Sequence, residues 1–211
     1  MPKLNVFSSY FKQENDTKEV TFLPPIKRGD LKHIKSGTAV LILDGYFASK
    51  LAIPPLECIQ ALRGGVKLYG ASSIGALRAS ELYPVGFYGI GRVYQGLVRN
   101  IIYKDSDLLC SYCATTGVES SVSMVHLKYV LYKLAKKEQL FSQKDIQNKI
   151  LNLSENIYWP ERTLDNLIDV ASSTLSGPAL DRLKLSLQDK ALHPKRLDAL
   201  HALKIVKNLE V

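Results

Sequence analysis

The run Ala39-Val40-Leu41-Ile42-Leu43 constrains this chain more than any other segment. It is continuously apolar and partly β-branched, and Asp44-Gly45 ends it. Such a run reads as a strand buried on both faces, and a sheet of that kind must carry helices on each side. The flanking pattern agrees. Residues Pro55 to Arg63 read as a helix, with proline near its start, Ile59 and Leu62 on its apolar stripe, and Gly64-Gly65 at its end. Val66 to Gly70 reads as the next strand, and Ile74 to Leu82 as a helix that stops before Pro84. Leu4–Phe7 and Val20–Leu23 are two further short strands. The order strand, helix, strand, helix predicts an α/β fold: a small, mainly parallel sheet flanked by helices.

From about Ser120 the pattern is helical. Val122 to Lys137 is amphipathic, Ser142 stands as a cap for a helix to Leu153, and Glu161–Leu175 and Leu180–Leu187 follow, separated by Gly177-Pro178. A last helix runs from His193-Pro194 to about Asn208. The expected division is an α/β core over residues 1–118 and a helical C-terminal subdomain over 119–211, packed on the core.

Composition narrows the class. The 211 residues are 46% hydrophobic and 23% charged, which argues against a disordered, collagenous or disulfide-scaffold chain. The longest apolar run is too short to cross a bilayer and no signal peptide is apparent, so a cytoplasmic protein without membrane association is expected. The formal net charge is +8, which favours acidic partners. Aromatic residues are not interleaved with basic ones in a strip suited to base stacking, so nucleic acid ranks last among them. His33, His126, His193 and His201 show no metal spacing, and no metal or organic cofactor is called for. Cys110-Ser-Tyr-Cys113 has redox spacing, but its placement in an expected strand would turn the two thiols to opposite faces.

In a parallel sheet ligands bind beyond the carboxyl ends of the strands. Two segments fall there: Asp44-Gly45 and Gly70-Ala-Ser-Ser-Ile-Gly75. A serine at a strand-to-helix turn lies at the positive end of the helix, where an alkoxide or oxyanion is stabilised. Ser73 is the candidate nucleophile. Ser72, Ile74 and Gly75 are candidate oxyanion and substrate contacts, because the first turn of a helix leaves N–H groups unpaired. The alternative is that Ser72 or Ser73 simply caps the helix. A nucleophilic serine needs a base, and Lys27 and Lys50 are the lysines nearest the predicted strand ends. Arg78 either holds a carboxylate or thiocarboxylate by bidentate geometry or pairs with Glu81 on the same helix. Asp44 could cap a helix, bind a cation or orient a base. Gly86-Phe-Tyr-Gly-Ile-Gly91 does not match a dinucleotide fingerprint and reads as a flexible loop.

Taken in order, Pro24-Pro-Ile-Lys-Arg-Gly-Asp-Leu31, Ile42-Leu-Asp-Gly-Tyr-Phe47, Glu57-Cys-Ile-Gln-Ala-Leu62, Gly70-Ala-Ser-Ser-Ile-Gly-Ala-Leu-Arg-Ala-Ser-Glu-Leu82 and Gly86-Phe-Tyr-Gly-Ile-Gly-Arg-Val93 resemble the TfuA-like family. Asp105-Ser-Asp107 and Tyr158-Trp-Pro-Glu-Arg-Thr163 extend the resemblance into the helical half. The resemblance implies a partner of a YcaO enzyme, which uses ATP to activate peptide backbone amides. It also implies hydrolysis of the C-terminal thiocarboxylate of a ThiS-like sulfur carrier, releasing sulfide for thioamidation of a precursor peptide, as in trifolitoxin-like bacteriocin pathways. A Ser–Lys pair is the family's proposed device, and Ser73 matches its serine. Asp44 and Gly45 join the implied substrate contacts, and Glu57 and Glu81 the supporting structure. Two departures stand out. Leu56 replaces a lysine that precedes the glutamate in many members, which makes a catalytically impaired adaptor the alternative. Val6-Phe-Ser-Ser-Tyr10 lacks the Gly-Pro often found there.

Overall fold

A computed structural model describes residues 4–11, 16–47, 50–99, 104–112 and 119–211. Five strands form one wholly parallel sheet: β1 Leu4–Phe7, β2 Val20–Leu23, β3 Ala39–Ile42, β4 Lys67–Gly70 and β5 Tyr88–Gly89, in the order β2-β1-β3-β4-β5. Leu4 pairs with both Val20 and Ala39, so β1 lies between β2 and β3. Chain order therefore reverses direction at β1/β3, which opens a crevice beyond the carboxyl ends of these strands.

The chain divides into two compact units, Met1–Lys104 with Lys195–Val211, and Asp105–Pro194. In the first, both sheet faces are covered, as the apolar run of β3 requires. Every residue of β3 is buried. Leu4, Val6, Leu41, Leu43, Tyr69 and Ala71 point to one face and pack on Ala199, Ala202 and Val206 of α9 (Pro194–Glu210). The other face meets α1 (Pro55–Arg63) and α2 (Ile74–Leu82). α2 comes unusually close. A Cβ on Gly75 would lie 1.7 Å from the Ile42 carbonyl oxygen, and one on Gly70 would lie 2.1 Å from the Gly75 oxygen. Only glycine permits this backbone-on-backbone contact.

The other expected elements are present, but no strand forms at Cys110–Tyr112, where the described residues show only an isolated bridge from Tyr112 to Glu119, and there are three further local differences. The segment read as a flexible loop holds β5 and leads into α3 (Arg92–Val98). Two residues of strand are too few to show a period. Gly177-Pro178 opens a helix rather than separating two: α8 spans Gly177–Gln188, with proline in its first turn, a favourable place for a residue without an N–H. Ser142 ends the short α5 (Gln139–Ser142), donating to the Gln139 carbonyl, and Gln143 precedes α6 (Lys144–Glu155). The second unit also contains α4 (Met124–Ala135) and α7 (Leu164–Ser172), and its core gathers Leu127, Val130, Phe141, Ile150, Leu167 and Leu183. Cys113 of the Cys-x-x-Cys spacing lies outside the described residues.

Candidate active site

Three loops meet the carboxyl edge of the sheet: Ser8–Tyr10 after β1, Leu43–Gly45 after β3, and Ala71–Ser73 after β4. The β1 and β3 loops are tied together. The Ser9 hydroxyl donates to the Asp44 carboxylate, and the Phe7 carbonyl accepts from the N–H groups of Leu43 and Asp44 at 3.0 and 3.2 Å. The β4 loop is tied to β3 by Ser73 N–H donating to the Leu43 carbonyl at 3.0 Å. Asp44 is buried, and its other carboxylate oxygen accepts the Gly45 N–H at 2.9 Å. Gly45 itself is pressed between Ile26 and Ile74, since an added Cβ would come within 2.6 and 2.9 Å of them.

The Ser72–Ser73 turn is the unusual feature. Among the described residues Ser72 alone, apart from glycines, has positive φ, at 69°. Ser73 is also irregular, with φ −122° and ψ −116°. Left-handed backbone at a residue with a Cβ stores about 1–2 kcal/mol. The hydroxyls of Ser72 and Ser73 are buried, with the residues 0% and 1% exposed, and neither has a hydrogen-bond partner among the described residues. Neither caps α2, which begins without a side-chain cap. The simple capping alternative therefore fails. The N–H groups of Ile74 and Gly75 likewise have no acceptor among the described residues, whereas Ala76 donates to the Ala71 carbonyl at 3.2 Å. Two buried hydroxyls and two N–H groups thus lie at the start of α2 without a hydrogen-bond partner among the described residues. Buried hydroxyls without a partner are uncommon in native proteins.

The charged residues divide. Glu57 is structural: its buried carboxylate accepts the Gly29 N–H at 2.8 Å and the Leu31 N–H at 3.0 Å, fixing the 3₁₀ turn Asp30–His33. Arg78 Nε donates to the Ile53 carbonyl at 2.8 Å, and its Nη1 meets Glu81 at 2.6 Å. It ties α2 to the segment before α1. The Ile26 N–H donates to the Asp44 carbonyl, so the backbone next to Lys27 runs along the β3 end. The Lys27 and Lys50 side chains are exposed, and neither is hydrogen-bonded to the Ser72 or Ser73 hydroxyl. Leu56 is 61% exposed.

The Ser9–Asp44 bond was outside the reach of sequence reasoning, because 35 residues separate its partners. Away from this edge, an open groove of about 580 Å³ is lined by Lys67, Tyr69, Tyr88, Leu209 and Glu210. Its polar groups satisfy one another: Lys67 bridges Glu210 at 2.7 Å, and the Tyr69 hydroxyl donates to the same carboxylate.

The sequence profile of the TfuA-like protein family matches residues 44–163, more than half of the chain, and the match includes Asp44 and the whole serine turn. The chain is a TfuA-like protein. No curated protein matches it. In this TfuA-like chain the match begins at the end of β3 and so takes in the β3 and β4 loops, α1 and α2, while β1, β2 and α9 lie outside it. No helix among the described residues is long and apolar enough to cross a membrane, and no group of three or more His, Cys, Asp or Glu side chains among them could hold a metal ion.

Proposed function

We propose that this TfuA-like protein hydrolyses the C-terminal thiocarboxylate of a ThiS-like sulfur carrier, beside a YcaO enzyme, and so supplies sulfide for backbone thioamidation of a precursor peptide. Ser73 attacks the thiocarboxylate carbon. The N–H groups of Ile74 and Gly75, at the positive end of α2, receive the negative charge that develops on oxygen. The pair of buried, unpartnered hydroxyls on a strained turn carries this reading: a turn that served only to cap α2 would use them. Tyr46 and Leu51, between β3 and α1, and Leu56, in the first turn of α1, are exposed apolar side chains of the kind that meet a protein partner. A cytoplasmic setting follows from the same reading.

The test is mass spectrometry of a thiocarboxylated carrier incubated with the protein. Wild type is expected to exchange the terminal sulfur for oxygen, and Ser73→Ala to lose about 10³-fold in rate with folding intact. Equal rates would end the nucleophile assignment. A second reading, an adaptor that recruits carrier or peptide to YcaO, is favoured by the exposure of Lys27 and Lys50 and by Leu56 at the family's lysine position. It requires Ser73→Ala to leave thioamidation of the precursor peptide unchanged when YcaO and a sulfur source are present.

A further inference from the structure

The sheet has two edges, and the chain treats them differently. At β2 the segment before the strand takes up the outward backbone groups. The Phe22 N–H donates to the Asp16 carboxylate at 2.7 Å, the Val20 N–H donates to the Thr17 hydroxyl at 3.0 Å, and the Val20 carbonyl accepts the Thr17 N–H at 2.9 Å. That edge is closed to another strand. β5 is the last strand on the other side. Ile90 donates to the Gly70 carbonyl at 2.8 Å, so Tyr88 and Ile90 turn their backbone groups to β4 and Gly89 turns its own outward. Neither the Gly89 N–H nor its carbonyl has a partner among the described residues.

The open groove lies along this edge. It runs from Lys67, at the start of β4, past Tyr88 and Gly89 to Ile90, with Ile205 and Leu209 of α9 as its other wall. Tyr88 stacks on Tyr69 with ring centroids 5.7 Å apart, yet it is 62% exposed, and Leu209 is 65% exposed. An unpaired strand edge beside an apolar wall takes up an extended peptide as an added strand. Direction decides which end of the peptide matters. A strand added parallel to β5 runs toward the carboxyl edge of the sheet and lies two strand spacings, about 10 Å, from β4. Gly70, which holds Ile90, is followed directly by the serine turn. About three extended residues cross that interval, so such a strand presents its C-terminus to the turn. Charge agrees. The first unit holds 18 of the 28 lysines and arginines and 9 of the 20 acidic residues, a formal +9, which leaves the second at −1. An anionic C-terminus is therefore steered to the first unit.

We infer that the C-terminal tail of the sulfur carrier docks as a sixth, parallel strand alongside β5, with every second side chain in the groove between Tyr88 and Leu209. This docking rests on the hydrolase reading above and supplies the route by which the thiocarboxylate arrives. A terminal carbon reaches a buried serine only if the residues before it leave the carrier's surface in extended form. Gly89 then donates one hydrogen bond to the tail and accepts another.

The test follows wild type, Leu209→Glu, Tyr88→Ala and, as a control, Leu185→Glu, an equally exposed leucine of α8. Hydrolysis is read by mass spectrometry on a thiocarboxylated ThiS-like carrier, and binding by calorimetry on the same carrier in its carboxylate form. Leu209→Glu and Tyr88→Ala are expected to raise KM and Kd about 10-fold with kcat within about twofold, and Leu185→Glu to change neither. A carrier shortened by about six residues is expected to bind about 10-fold more weakly and to lose its sensitivity to Leu209→Glu. Proline along the tail separates strand pairing from plain apolar contact: binding is expected to weaken where the tail N–H faces Gly89 and not at the adjacent positions. Unchanged KM and Kd in both groove variants, full binding by the shortened carrier, or equal tolerance of proline at every position would overturn the docking and leave hydrolysis standing. A carrier that binds with these sensitivities but keeps its sulfur would uphold the docking and end the hydrolase reading. Absence of carrier binding would overturn both.

Discussion

At the scale of single residues, the serine turn and its glycines illustrate opposite uses of backbone freedom. Ser72 occupies a left-handed conformation that glycine adopts without penalty. Ser72→Gly is therefore expected to raise stability by about 1 kcal/mol in urea denaturation, and a loss of stability would mean that the buried hydroxyl contributes more than the strain costs. Gly75 is the converse. Any side chain there meets the Ile42 carbonyl, so Gly75→Ala is expected to cost about 3 kcal/mol or to shift α2 bodily. Cys58 is fully buried, and desolvation pushes its thiol up to about 12. A thiol in that state is a packing group and is expected to resist alkylation in the native protein.

At the scale of elements, buried ionic groups hold loops onto helices. Arg162 lies in the Tyr158–Thr163 block that resembles the family. Its Nε donates to the Ser154 carbonyl at 3.1 Å and its Nη2 to that of Ile157 at 3.3 Å, at the C-terminal end of α6, while its own carbonyl accepts the Val122 N–H at 2.7 Å. Burial lowers its pKa, and the acidic side chains of Asp107 and Glu155 oppose that shift. Arg162→Ala should cost about 3 kcal/mol, because the Ser154 and Ile157 carbonyls lose a charged donor inside the protein. A change below about 0.5 kcal/mol would show that water replaces the guanidinium freely. Glu210 links the end of α9 to β4. Burial raises its pKa, but donation from Lys67 and Tyr69 outweighs this and holds the carboxyl below its usual 4.5. Its folded pKa is depressed, so its contribution is present above pH 4.5 and lost as pH falls through the lower folded value. Glu210→Gln should therefore lower Tm at pH 7 and converge with wild type in acid. Parallel pH profiles for the two proteins would contradict this.

At the scale of the whole molecule, the C-terminal helix completes the α/β unit rather than extending the helical one. It covers one face of the sheet, so removing residues 195–211 would expose Leu4, Val6, Leu41 and Leu43 to water. The truncated chain is expected to lose cooperative thermal unfolding and to bind a hydrophobic dye. A sharp transition in its melting curve would show that the sheet is covered without α9.

The sequence by itself determined the kind of fold and the location of the candidate site. The apolar run of β3 demands cover on both faces, and the strand–helix alternation places Asp44 and Ser72-Ser73 beyond strand ends; both follow from local periodicity. The family was legible for the same reason, since its motifs are contiguous segments. What only the tertiary structure decided depends on residues far apart in the chain. β5 was too short to show a pattern and forms because β4 is there to pair with it. The Ser9–Asp44 bond and the Glu57 carboxylate on the Gly29–Leu31 turn both join segments far apart in the chain. A lysine on an amphipathic helix reads as solvated until the fold around it is known, and Lys195 is 0% exposed.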